Sequence, residues 1–114
     1  MIELTSERMF GHPILSQEEA ESLHPCNLND LCTSTEELDE INFFFMLLAS
    51  YHHHLGRGRR ELAAHLAFLM AYDLFILITP LSSCPLSLHY IRQAIALNPL
   101  EDYLEWERLI QQGN

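Results

Sequence analysis

Phe43, Phe44, Phe45, Met46, Leu47 and Leu48 follow one another without interruption. The residues on either side keep a helical rhythm, so this run constrains the fold more than any other feature. Leu38, Ile41, Phe45, Leu48, His52 and Leu55 recur at alternating spacings of three and four, which places them on one stripe of a helix. Six consecutive large apolar side chains point all round the axis, and one amphipathic face cannot hide them. A second segment has the same character, with Leu66, Phe68, Leu69, Met70, Leu74, Phe75, Ile76 and Leu77 apolar on several sides. A chain of 114 residues has room for one domain and one core, and in it helices buried on every side are hard to arrange. Two arrangements resolve the excess. Either the N-terminal third folds over it, or an apolar groove is left for a partner segment; the groove is the reading carried forward.

The remaining signals are also helical. Ser16 and Glu19 have capping-box spacing and begin a short helix that His24-Pro25 ends. Thr33-Ser34-Thr35 with Glu36 and Glu37 supplies an N-cap and a first turn of acids for the long helix, which Gly56 and Gly58 stop. A second helix runs from about Arg59 through at least Tyr72, with Pro80 as its outer limit. Thr79 to Pro85 reads as a loop, and Pro85 suits the first turn of a third helix reaching about Leu97. Asn98, Pro99 and Glu101 predict the cap and first turn of a fourth helix, closed by Gly113. No period-two pattern competes, so the predicted class is all-α: antiparallel helix pairs or, alternatively, an irregular four- to five-helix bundle.

Charge divides the chain. Residues 1–40 carry ten Asp or Glu against the single Arg8, whereas residues 41–114 carry six against five Arg. We read residues 1–33 as an acidic, partly ordered segment and 34–114 as the helical domain. The net charge of −10 and the absence of lysine argue against nucleic acid, whose phosphates are met by Lys and Arg. The apolar stretch from Leu62 to Leu81 contains His65, Asp73 and Pro80, so it is expected to be a buried helix with no membrane insertion. Cys26, Cys32 and Cys84 are few and irregularly spaced, and Met1 is followed at once by Glu3, Glu7 and Arg8. Both features predict a cytoplasmic protein.

Phe44-x-x-Leu47-Leu48-x-x-Tyr51, followed by Leu55-Gly56, resembles the first helix of a tetratricopeptide repeat, with Leu48 where that repeat has a small residue. Arg59 to Tyr72, with Ala63, Ala64, Ala67 and Ala71 and then Asp73, is similar to the repeat's second helix. His89 to Pro99 resembles the end of another, and Trp106, Leu109 and Ile110 a further first helix. The two exits, Asp73 and Asn98, stand 25 positions apart, whereas a repeat needs about 34. Small size, acidity and these residues together resemble the tetratricopeptide-type chaperones of bacterial type III secretion systems. That resemblance implies a chaperone that keeps a client protein segment, a secretion subunit, soluble in the cytosol as a hetero-oligomer. It also implies a partner-binding face formed by Asn42, Phe45, Ala49, His52 and His53. The alternative is a permanent structural subunit of a larger complex.

Reactive constellations are thin. His52-His53-His54 suggests a metal, but neighbours on a helix diverge by about 100° and no further ligand stands at a suitable spacing. His24, Cys26 and Cys32 fit no standard zinc pattern. Arg57-Gly58-Arg59-Arg60 reads as a phosphate-binding turn or, preferably, as a solvated turn that attracts the acidic segment. Ser82-Ser83-Cys84 has nucleophile types without an assigned base. Asp73 is either a buried acid or, more simply, a residue at an exposed helix end. The expectation is therefore no enzyme, no cofactor and no metal site.

Overall fold

The computed structural model describes residues 6–34 and 37–113. Among the described residues seven α-helices follow in order: α1 Ser6–Gly11, α2 Gln17–Ser22, α3 Pro25–Ser34, α4 Glu37–Gly56, α5 Arg60–Tyr72, α6 Ser83–Leu97 and α7 Glu101–Gln112. A π-helical turn, Asp73–Leu77, extends α5. No strand occurs among the described residues, so the protein is all-α.

α5 is the centre of the molecule. Leu62, Ala63, Ala64, Leu66, Ala67, Leu69, Met70, Ala71 and Tyr72 are all buried along it, with α4 and α6 on its flanks and α7 against α6. The alanines explain how one helix meets neighbours on several sides, because small side chains let adjacent backbones approach. α1 to α3 close the same core, contributing Met9, Leu15, Ala20, Leu23, Leu28 and Leu31. Part of the apolar excess of α4 and α5 is thus covered by the chain's own first third.

Local chemistry accounts for most boundaries. Ser16 caps α2 through a complete capping box with Glu19. Of the Thr33-Ser34-Thr35 run expected to cap the long helix, Thr33 and Ser34 belong instead to the end of α3, and Thr35 lies outside the described residues. Gly58 takes a φ of +77° in the α4–α5 turn and Gly113 one of +83° after α7, conformations for which glycine is suited. α2 ends at Ser22, before His24-Pro25 as expected, and Pro25 also opens α3; the His24 N–H donates to Asn27 Oδ1 at 2.9 Å, satisfying a group at the helix start. Asn98, expected to cap the last helix, does not do so. α7 starts at Glu101 behind Leu100, with no side-chain cap, while the Leu100 N–H donates to the Asn98 carbonyl at 2.8 Å in the turn before it.

Two polar residues sit deep in the α4 interface. Ser50 and His54, one helical turn apart, grip the backbone of Leu15. The Leu15 N–H donates to Ser50 Oγ at 2.9 Å, and His54 Nε2 donates to the Leu15 carbonyl at 2.8 Å. His65 on α5 does the same for Leu23, donating from Nε2 to its carbonyl at 2.6 Å. Buried backbone groups outside helices need such partners. The N-terminal segment is therefore held by specific side chains as well as by apolar contact.

Candidate functional site

The core side of α4 consists of Phe43, Met46, Leu47, Ser50, Tyr51 and His54, all buried. The opposite side carries Leu38, Ile41, Phe45, Ala49 and His52, all exposed, with Leu38 at 66% and Phe45 at 59%. At 1.5 Å per residue this line is about 21 Å long. Two of the residues on the predicted stripe, Leu48 and Leu55, are half-buried at its edge. The stripe that would ordinarily mark the core face is thus turned outward. Its polar counterparts, Ser50 and His54, point inward because Leu15 needs them.

Of the residues expected to meet a partner, Phe45, Ala49 and His52 are exposed, and Asn42 and His53 are half-buried beside them. The five share one side of α4. Leu38 and Ile41 extend this side toward the start of the helix; spacing alone assigns them to a stripe without deciding which way it faces. Aromatic rings continue the surface toward α6. Phe44 lies edge-on to Phe45 at 5.8 Å and to Tyr90 at 6.5 Å, and Tyr51 to Tyr90 at 6.4 Å. Tyr90 comes from a segment more than thirty residues away, and nothing local in the sequence announces that meeting.

A second exposed group gathers near the turn between the π-helical segment and α6. Ile76 and Leu86 are exposed there, and Leu81 is 97% exposed. Thr79 and Ser82 in this turn adopt positive φ angles, 32° and 69°, conformations uncommon for residues with a Cβ atom.

The three consecutive histidines have separate roles. His52 is exposed and lies edge-on to Tyr51 at 5.0 Å; His54 is buried, its two ring nitrogens occupied by Leu15 and by Arg59, whose Nη1 donates to Nδ1 at 3.0 Å. Because Nε2 donates and Nδ1 accepts, these partners require the neutral ring protonated on Nε2. Among the described residues no group of three or more metal-ligating side chains converges. Cys26 and Cys84 are exposed thiols.

Asp73 corrects a sequence reading. It is only 5% exposed, at the start of the π-helical turn, and its Oδ2 has no hydrogen-bond partner among the described residues. It lines a cavity of about 10 Å³ with Leu28, Leu31, Glu40, Phe43, Leu77 and Ile78. Burial first, and the Glu40 carboxylate second, push its pKa up to about 7. An exposed helix end does not describe it: the π-helical turn carries the chain on past Tyr72 and keeps the acid inside.

Comparison with protein-family models, curated proteins and solved structures gave no significant match to this chain. Its functional reading accordingly rests on its own geometry. No helix among the described residues is long and apolar enough to cross a membrane.

Proposed function

We propose that this protein is a binding module whose partner, an apolar or amphipathic segment of another protein, lies along the outer side of α4. The observation that carries this reading is the exposed line of Leu38, Ile41 and Phe45 on a helix whose other side is fully packed. Scattered exposed apolar residues are ordinary, but a contiguous row at helical spacing is the arrangement by which one helix receives another. The half-buried rings of Phe44 and Tyr90 widen the row toward α6, supplying rigid aromatic contact area of the kind that dominates binding energy. In this reading Asn42, Phe45, Ala49, His52 and His53 touch the partner. The protein acts as a chaperone or assembly partner in the cytosol. That the client is a type III secretion subunit is carried by the family resemblance alone.

Phe45→Glu tests the reading. Because Phe45 is exposed, the variant should keep its helicity by circular dichroism and lose co-purification with the partner expressed from a neighbouring reading frame. A charge placed in a packed core would instead cost several kcal/mol and unfold the chain. Loss of helicity in the free variant, or retention of the partner, would overturn the assignment.

A permanent subunit of a larger complex is the second reading, and the exposed Ile76, Leu81 and Leu86 favour it by offering apolar surface from elements other than α4. Partner exchange separates the two. A labelled client that exchanges within minutes marks a chaperone, and one that stays for days marks a subunit.

A further inference from the structure

Where α4 turns into α5, the corner meets the link between α1 and α2 across an open pocket of about 590 Å³. Arg59, His53 and His54 line it from the corner, and Ser16 and Gln17 from the other side. Arg59 is half-buried, whereas Arg57, Arg60, Arg92 and Arg108 are exposed, and the ion pair described between side chains is Arg92 with Glu107. The described hydrogen bond of the Arg59 guanidinium runs to the neutral ring of His54. Glu19 also lies on the pocket wall, but its Oε1 is engaged by the Ser16 N–H at 3.0 Å.

We propose that this pocket is a binding site for a small oxyanion, carboxylate or phosphate, with Arg59 as its anchor and His53 beside it. The bond to His54 Nδ1 takes one Nη1–H and leaves the other guanidinium donors for two oxygens of a ligand, a geometry that suits both anions. His54 is itself fixed from behind by the Leu15 carbonyl. Arg59 is thereby positioned before any ligand arrives, which lowers the ordering cost of binding. Positive groups here work against the Glu19 carboxylate on the pocket wall. Arg57 stands in the same turn, and the N-terminal end of α5 adds its dipole. Burial, and after it the guanidinium groups of Arg57 and Arg59, hold the His53 imidazole below its ordinary pKa. An anion on Arg59 would offset those charges.

The pocket shares His53 with the proposed client face, but Arg59 and Gln17 belong to the pocket alone. The test follows the imidazole resonances of the full chain by nuclear magnetic resonance. Sodium phosphate and, separately, sodium acetate replace sodium chloride at constant ionic strength. At least one of the two should produce a saturable shift at His53 and raise its pKa, and Arg59→Gln should weaken binding at least tenfold. Since Arg59→Gln also removes the His54 bond, Gln17→Glu provides a second variant: it adds a negative charge at an exposed position on the pocket wall and should abolish binding while helicity stays intact. Phe45→Glu should leave anion binding unchanged, which separates this site from the α4 face. Responses to phosphate and acetate no different from chloride, or undiminished binding in Gln17→Glu, would overturn the proposal.

Discussion

Leu15 gives both its N–H and its carbonyl to one helix, the first to Ser50 and the second to His54. Ser50→Ala leaves the buried N–H without an acceptor, and such a loss costs about 1–3 kcal/mol. Urea unfolding should show it, with helix content unchanged in the native state. Asp73 governs the response to pH. Its folded pKa of about 7 lies above the ordinary value of 3.8, so ionisation favours the unfolded chain as pH rises from about 4 to about 7. The difference of about three units corresponds to at most ~4 kcal/mol, lost across that window and not regained above it. Asp73→Asn should match the wild type near pH 4 and exceed it in stability at pH 8. Its new amide can donate toward Glu40. His65 works in the opposite direction, because burial, partly offset by the Leu23 carbonyl, lowers its pKa, and stability falls as pH drops through about 6.5. The difference between wild type and Asp73→Asn across pH therefore isolates the carboxyl. A difference that stays constant from pH 4 to 8 would show that Asp73 does not titrate as described.

Among the elements, α4, α5 and α6 were legible within a few residues, since glycine and proline punctuate them and their apolar spacing is long and regular. α3 was not. Asn27, Asn29 and Asp30 favour turns and caps over helix interiors, yet Leu28 and Leu31, three positions apart, are buried and dock α3 on the rest of the molecule. Leu28→Ala should cost about 2–5 kcal/mol by leaving a cavity, and amide hydrogen exchange in α3 should accelerate before that in α5. Tyr72 Oη also donates to Asn29 Oδ1 at 2.7 Å, a tie across 43 positions that no local pattern reveals. The candidate face was half legible. Phe45, Ala49 and His52 lie together and exposed, but the direction of the stripe depended on Ser50 and His54, which hydropathy assigns to the outside and the backbone of Leu15 draws inward. The anion pocket is assembled from segments some forty positions apart, so only its Arg57-Gly58-Arg59-Arg60 turn left a trace in the sequence.

For the whole molecule, the charge imbalance sets the expectation. A net charge of −10 on 114 residues repels itself in the compact state. Raising sodium chloride from about 20 to about 200 mM shortens the screening length from roughly 20 Å to roughly 7 Å and should raise the melting temperature. A melting temperature that falls would mean that attractive pairs, such as Arg92 with Glu107 at 3.0 Å, outweigh the repulsion. The grips on Leu15 and Leu23 also order events in time. His54 follows Leu15 by 39 positions and His65 follows Leu23 by 42. During synthesis at about 5–20 residues per second, the first third therefore emerges roughly 2–8 seconds before the side chains that fasten it. A stretch rich in carboxylates tolerates that wait in water, whereas an oily one would seek other chains. The carboxylates of residues 6–34 therefore keep the core leucines of that stretch in hydrated company until His54 and His65 are made.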